Sequence, residues 1–497
     1  MRVVLIGADF EENLGLAMIA SVLASENHEV IVLPFNRPSE APSITAEVLR
    51  LAPPLIGLSI QFQHRAHDFL SLARRLRAEG CRGHVTCGGQ FPTMAWNEVL
   101  GNRWGVDSVV LFEGEHTVTH LARAIAQHSP LSEVPGLAIL DSERRPVTTS
   151  VRPLEQDFDR LPLALRYRAP TRHAGIPFLP IMGSRGCWGA CSYCSITSFY
   201  RAARSYAGGR TLRLRSPENL AAEMAVLAHR NGGRAIFCFH DDNFLLPRPA
   251  DSLVRIRAIR RLLDDYGVGR VGFIGKCRPE CITPELAREL RDLGVVRLYV
   301  GVENASASGA AHLNRSRQHP HIRQALRALR DAGIFACYNL LLFEPGTTLD
   351  DVRDNIAFIR EHADHPVNFC RAEPYHGTPL HRQLAASGNL SGSYLGWDYR
   401  LRDDHAELLF RVCAAAFRER NFAPSGVGNR YMGLGYTARL LEHFHDDRGG
   451  RRHDLVRRAA ALTRDIASES AELLEEALRI VETCGLQNHD RVERETV

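Results

Sequence analysis

The chain reads as an α/β protein: a doubly wound parallel-sheet domain over residues 1–140, a linker over 141–175, a second run of alternating strands and helices over 176–385, and a helical region over 386–497. Three observations predict this. Short, nearly continuous apolar runs recur, as strands buried on both faces require. Segments with apolar residues at helical spacing separate them, and that alternation implies parallel sheets. Beyond residue 386 the helical spacing continues alone, most clearly through Leu455, Ala459, Leu462, Ile466, Leu473, Leu474, Ala477, Leu478 and Val481.

In the first part, strands are expected at Arg2–Ala8, Glu29–Phe35, Leu55–Ile60, His84–Cys87 and Val106–Phe112. Helices are expected at Asn13–Ser25, Ile44–Leu51, His67–Glu79 and His116–Ala126. Ligands of such sheets sit at the carboxyl ends of the strands. Ser59, Gly88-Gly89 and Glu113-Gly114-Glu115 therefore line one crevice. No G-x-G-x-x-G follows the first strand, so a dinucleotide fingerprint is missing. An ordinary flavodoxin-like domain with tight turns is the plain alternative. In the linker, Asp141–Pro146 is polar, and Pro153, Pro162 and Pro170 punctuate the chain. Leu154, Phe158 and Leu161 are expected to tether it to the second run of strands and helices.

The second part opens with a strand over 176–182. Pro177 and Pro180 lie inside it, which suits an edge strand. Then comes Gly183-Ser-Arg-Gly-Cys187-Trp-Gly-Ala-Cys191-Ser-Tyr193-Cys194, where three cysteines stand at C-x3-C-x2-C spacing. Glycines 183, 186 and 189 let the chain turn sharply around whatever the thiolates hold. Thiolates suit iron–sulfur clusters, copper(I) or zinc. Structural zinc wants four ligands, and no second C-x2-C follows. A [4Fe–4S] cluster held by these three would keep one iron open. Further strands are expected at 234–239, 270–275, 296–302, 335–342 and 367–372, with helices near 217–231, 250–265, 284–293, 320–332 and 349–362. The strand ends carry polar residues: His240-Asp241-Asp242-Asn243-Phe244, Lys276-Cys277-Arg278, Gly301-Val-Glu303-Asn-Ala-Ser306, Glu344-Pro-Gly-Thr347 and Glu373-Pro-Tyr375-His376-Gly-Thr-Pro-Leu380. Lys276 is the only lysine in a chain otherwise basic through arginine. Its compact ammonium is expected to bind a substrate carboxylate or phosphate, with a rim charge as the alternative. Arg201, Arg204, Arg210, Arg213 and Arg215 read first as a solvated loop, then as an anion-binding lid, and last as an RNA contact.

At Cys187, Cys191, Tyr193 and Cys194 the chain resembles the radical S-adenosylmethionine (radical SAM) superfamily, whose signature is C-x3-C-x-aromatic-C. The strand ends also resemble family elements: D-D-x-F, G-x-E-x-x-S, x-P-G-x-T and P-x-x-G-T-P-L. The resemblance implies a partial (β/α)6, TIM-like barrel. It implies a [4Fe–4S] cluster on the three cysteines, with S-adenosylmethionine chelating the fourth iron and reduced to a 5′-deoxyadenosyl radical. It implies that Glu303, with Ser306, contacts the cofactor ribose, and that Asp241 or Asp242 faces the methionine ammonium or the substrate. Tyr193, Lys276 and Asp242 are thus the expected catalytic residues. Phe343-Glu344-Pro345 departs from the glycine and small polar residue that many relatives carry there.

Residues 1–140 resemble the cobalamin-binding domain found upstream of many radical SAM domains. The resemblance rests on Asn13-Leu-Gly-Leu16, the Gly88-Gly89 turn and the Glu113-Gly114-Glu115 turn, taken in order. It implies that residues near Ser59, Gln61, Gly88, Gly89, Glu113 and Gly114 contact the corrin and its nucleotide tail. The D-x-H-x-x-G motif that supplies an axial histidine elsewhere is absent, since Glu11 stands two residues after Asp9. The base is therefore expected off the metal; His64 is a remote candidate ligand.

The formal charge of +4 over 497 residues argues against a dedicated nucleic-acid binder. No stretch is long and apolar enough to span a membrane, and the opening strand is no signal peptide. Twelve cysteines without a small disulfide scaffold fit a reducing cytoplasm. The expected activity is cobalamin-dependent radical SAM C-methylation of an unactivated carbon in a small-molecule or peptide substrate, through methylcobalamin and an external reductant of flavodoxin or ferredoxin type. Cyclisation, rearrangement or oxidation without methyl transfer is the alternative. RNA methylthiolation would need a second cysteine set, for which Cys81 and Cys87 are poor candidates. A non-catalytic cobalamin or redox sensor is the reading from another class.

Overall fold

The computed structural model describes residues 1–316, 319–445 and 450–484. The amino-terminal part comprises β1 (Arg2–Gly7), α1 (Leu14–Ser25), β2 (Glu29–Pro34), α2 (Ala41–Leu51), β3 (Leu55–Ser59), α3 (Ala66–Ala78), β4 (His84–Gly88), short helices α4 (Gln90–Met94) and α5 (Trp96–Gly101), β5 (Ser108–Val110), α6 (Glu115–Gln127), β6 (Leu137–Leu140) and β7 (Pro146–Thr148). Asn13 starts α1 by accepting a hydrogen bond from the Leu16 N–H at 3.0 Å, a standard helix N-cap. The sheet order is β2-β1-β3-β4-β5-β6-β7, and strand order reverses beside β1. Gly7 and Ser59 are register partners there, which makes their carboxyl ends the natural ligand crevice.

The sheet is mixed rather than wholly parallel, because β6 and β7 run antiparallel. The polar stretch read as the start of a linker is the turn of this hairpin. The Asp141 carboxylate accepts from the Glu143 and Arg145 N–H groups at 2.9 and 2.8 Å, the turn chemistry that aspartate favours. Phe158 and Leu161 pack with Leu14, Met18 and Met182, and Leu154 packs with Phe199, Tyr200 and Ala203.

The second sheet is built from β8 (Thr171–His173), β9 (Ile176–Ile181), β12 (Ala235–Phe239), β13 (Val271–Cys277), β14 (Val295–Glu303), β15 (Phe335–Phe343) and β16 (Val367–Arg371), with β10 (Ser184–Arg185) and β11 (Arg213–Leu214) forming a separate two-stranded pair. Its order, β8-β9-β12-β13-β14-β15-β16, is sequential and parallel apart from β8. Helices α7 (Ser195–Ala207), α8 (Pro217–Arg230), α9 (Pro249–Asp265), α10 (Pro284–Leu293), α11 (Ala307–His312), α12 (Ile322–Asp331) and α13 (Leu349–Glu361) intervene, giving the partial barrel. Contrary to the expectation from its prolines, β9 is not the edge strand, since β8 covers it up to Phe178. Beyond β8 the Pro180 carbonyl accepts from the Arg166 guanidinium at 2.8 Å.

The arginine run is split: Arg201 and Arg204 are exposed on α7 and Arg210 is exposed in the loop after it, whereas Arg213 and Arg215 are 3% and 5% exposed. Arg213 meets Glu113 at 2.8 Å and Arg215 meets Glu223 at 2.5 Å. The remaining elements are α14 (Pro379–Ala386), the hairpin β17 (Ser391–Ser393) and β18 (Gly396–Asp398), then α15 (Asp404–Ala416), α16 (Arg418–Phe422), α17 (Val427–Phe444) and α18 (Arg451–Cys484). Tyr436, Leu440 and Phe444 of α17 pack onto Ile176, Phe178, Ile236 and Ile274 and plug the amino end of the barrel. Tyr394 accepts from the Trp104 indole at 2.6 Å, and Trp397 stacks on His376. The polar tail from Asn488 lies outside the described residues.

Candidate functional site

The two sheets meet at their carboxyl ends. The Gln63 side chain accepts from the His376 N–H at 2.7 Å, and the Ser195 hydroxyl donates to Gln90 at 3.2 Å. Arg185, at the root of the cysteine loop, ion-pairs with Glu113 at 3.3 Å and with Glu115. These contacts hold the crevice of the first sheet against the mouth of the second.

The cysteine loop is braced from below. Asp241 accepts from the Gly183 N–H at 2.7 Å and the Ser184 hydroxyl at 2.6 Å. Asp242 accepts from the Gly186 N–H at 2.8 Å. Burial pushes the Asp241 carboxyl up to about 6 and raises Asp242 as well. Asp241, expected to face a ligand, is 2% exposed and holds the loop instead. Asp242 stays within electrostatic reach of Lys276.

Above this base the thiols collect donors. The Gly189 N–H donates to Cys187 Sγ at 3.3 Å. Two buried guanidiniums, Arg278 and Arg315, donate to Cys191 Sγ at 3.4 and 3.3 Å. Gly189 leaves this space to Arg278, because a Cβ there would displace the Arg278 guanidinium. Burial raises the Cys187 thiol and pushes Cys194 up to about 11. Cys194 is also the N-cap residue of α7. The G-T-P-L segment supports the loop from the far side, where the Leu380 N–H donates to the Ser192 carbonyl at 2.9 Å.

Glu303 ends β14 in a left-handed conformation, φ 66°, which costs a non-glycine residue energy and marks functional sites. Its carboxylate lies 3.9 Å from Arg315. Tyr193 sits beside both, its phenol pushed well above the usual range by burial and then by the Glu303 charge. Ser306, expected at the cofactor, is fully buried and caps α11 by accepting from the Gly309 N–H at 3.0 Å. The Lys276 side chain is exposed. Neighbouring His240 is pushed down to about 4 by burial and by the Lys276 charge.

Across the interface, Ser59, Gly88, Gly89 and Gly114 lie at the crevice and Gln61 is exposed. Gly89 has φ 113°, and a Cβ would meet the Ile60 carbonyl at 2.6 Å. Glu113 is committed to Arg185 and Arg213, which places it in the interface between the sheets. Asp9 is 7% exposed, held by the Tyr167 hydroxyl at 2.9 Å and Arg168 at 3.0 Å. His64 is exposed and stacks on Phe62. Arg185 and Arg315 are the contributors that sequence reasoning gave no role; Arg213 was read only within an arginine run and Arg278 only within a strand end, and nothing local marked Arg315.

The donor set suits the expected groups. Three soft thiols, Cys187 met by a backbone N–H and Cys191 by two cations, fit an anionic iron–sulfur cluster. A carboxylate near that loop can accept from two ribose hydroxyls. Gly88-Gly89 and Gly114, which follow β4 and β5, present no side chain at the carboxyl end of the first sheet, where a corrin tail would lie.

Residues 181–359 match the Radical SAM superfamily and residues 3–122 match the B12 binding domain. An uncharacterized methyltransferase of Pyrococcus horikoshii is 24% identical over 380 residues, covering 76% of this chain and 79% of its own. An anaerobic magnesium-protoporphyrin IX monomethyl ester cyclase of Synechocystis is 26% identical over 348 residues, covering 69% and 65%. The fold superposes on the cobalamin-dependent S-adenosylmethionine radical enzyme OxsB with TM-score 0.69 at 17% identity, over 95% of this chain and 72% of that one. It superposes on the radical S-adenosylmethionine methyltransferase TsrM of Kitasatospora setae with TM-score 0.67 at 16% identity, over 93% and 99%. No helix among the described residues is long and apolar enough to cross a membrane.

Proposed function

Starting from a chain that joins a B12-binding domain to a radical SAM domain, and is therefore a cobalamin-dependent radical SAM enzyme, we propose a C-methyltransferase that acts on an unactivated carbon. Its cofactors are a [4Fe–4S] cluster, S-adenosylmethionine and cobalamin. Between them these supply hydrogen-atom abstraction and a transferable methyl group. The chain's task is alignment and exclusion of water. In this reading Cys187, Cys191 and Cys194 hold the cluster, while Asp241 and Asp242 keep their loop in place. Glu303 receives the ribose hydroxyls, with Tyr193 packed beside it. Ser59, Gln61, Gly88, Gly89 and Gly114 receive the corrin and its tail. Lys276 and Asp242 face the substrate.

The observation that carries the reading is the apposition of the two carboxyl ends, which Arg185 and Glu113–Glu115 clamp together. A second reading, cyclisation or oxidation without methyl transfer, is favoured by the similarity to the cyclase. Anaerobic turnover with candidate small-molecule and peptide acceptors and a one-electron reductant, read by product mass, decides between them. Methyl transfer adds the mass of CH2. An unchanged mass, or loss of hydrogen, with the cofactors bound would overturn the proposal in favour of the second reading.

A further inference from the structure

The hollow of the barrel contains two cations, Arg297 and Lys276, that form no ion pair among the described residues. Strands β13, β14 and β15 are buried or half-buried along their length except at one position each: Lys276, Tyr299 and Asn339. Lys276 and Tyr299 are register partners, so these open positions form one polar patch on the inner wall. Arg297 lies on the same face of β14, one pleat below Tyr299. It is 9% exposed, and its guanidinium lies 4.2 Å from the Tyr299 ring centroid and 5.2 Å from that of Tyr436. Its polar contact is a 3.6 Å donation from Nη2 to the weak acceptor Cys337 Sγ, and its Nε is buried without a partner.

Other buried arginines differ. Arg166, Arg213, Arg215 and Arg278 each meet a carboxylate within 3.1 Å. Among the described residues neither Arg297 nor Lys276 forms an ion pair. Two acidic groups act on them from a distance. Glu11, on the loop after β1, acts on Arg297, and Asp242 acts on Lys276 while bound to Gly186. A buried guanidinium with an unmet donor is costly, and a planar fork beside an ammonium matches an oxyanion.

We propose that the barrel hollow is a binding site for the anionic end of an elongated organic acid, with Arg297 and Lys276 holding its carboxylate or phosphate. The Asn339 amide and the Tyr299 hydroxyl add donors. Glu303 stands four residues beyond Tyr299 on the same strand, roughly 13 Å along it at the usual rise. Arg297 therefore draws the acid group below the cofactor-bearing end, with Lys276, near the end of β13, on its upper side, and the carbon to be altered lies several bonds from the guanidinium. That this acid is the substrate rests on the methyl-transfer reading; that the hollow binds anions does not.

The test is calorimetric titration of the full-length protein with octanoate, octyl phosphate and neutral octanamide. Both acids, or one of them, should bind saturably, about tenfold or more tighter than the amide, which is what a charge-assisted hydrogen bond supplies. Whichever acid binds tighter assigns the headgroup. Lys276→Met and Arg297→Gln should each cost about that factor for the acid and leave the amide unchanged. Equal affinity for acid and amide, no saturable acid binding, or wild-type affinity in Lys276→Met would overturn the proposal. Lys276 is exposed, so its variant decides the matter if Arg297→Gln fails to fold. Unchanged product mass with acid binding intact would sink methyl transfer alone.

Discussion

At the scale of single residues, the site is organised by charges facing sulfur. Arg278 and Arg315 both donate to Cys191 Sγ, and such bonds stabilise the more negative state of an iron–sulfur centre. Arg278→Gln should make the reconstituted cluster harder to reduce, seen in a potentiometric titration as a more negative midpoint with iron content retained. An unchanged midpoint would mean that the guanidinium is only packing on Trp188, whose ring lies 4.6 Å away. The ligands themselves should behave differently. Cys187→Ala, Cys191→Ala and Cys194→Ala are each expected to lose bound iron and sulfide on anaerobic analysis. Asp241 gives a pH signature. Its carboxyl sits near 6 in the fold, above the 3.8 of a free aspartate, because it is buried. Between those values the folded protein keeps a proton that the unfolded chain releases, so this group's contribution falls as pH rises from about 4 to about 6. Asp241→Asn should flatten thermal stability against pH in that window; an unaltered profile would place the titration elsewhere.

At the scale of elements, glycines and caps decide where loops can go. Gly89 enters α4 at φ 113° with the Ile60 carbonyl against it. Gly89→Ala should therefore strain the β4–α4 turn by about 1–3 kcal/mol. It should also weaken cobalamin binding, measured by absorbance titration, while leaving the iron content alone. Ser306 works inside the fold. Its hydroxyl caps α11 and lies in a buried network with Asn304 and Asn355. Ser306→Ala should cost about 1 kcal/mol of stability without changing S-adenosylmethionine affinity. A loss of cofactor affinity at unchanged stability would return Ser306 to the cofactor. Most elements were legible because continuous apolar strands and helical periods are local signals. The β6–β7 hairpin was missed because its strands are short and its turn is polar. The helix α7 was missed because the serine and arginine content of the segment hid its apolar face.

At the scale of the whole molecule, the two halves are joined by buried ion pairs. Arg185 meets Glu113 and Glu115 across the interface, and Arg213 meets Glu113. Removing one partner leaves a buried charge unmet, typically at about 3–5 kcal/mol. Arg185→Met should lower the melting temperature markedly, and pairing it with Glu115→Leu should recover much of the loss. Failure of the double variant to recover would mean that the arginine acts through the cysteine loop rather than through the pair. The sequence alone determined the two α/β layers, the three thiols and the polar strand ends, because each is written in local spacing. Only the tertiary structure decided which polar residues are structural and which are free, since that depends on partners far away in the chain. It turned Asp241, Ser306 and Glu113 inward to neighbours, brought Arg315 to a thiol 124 residues away, and left Arg297 and Lys276 facing the barrel hollow. Burial and pairing are properties of the assembled fold, and no run of neighbouring residues encodes them.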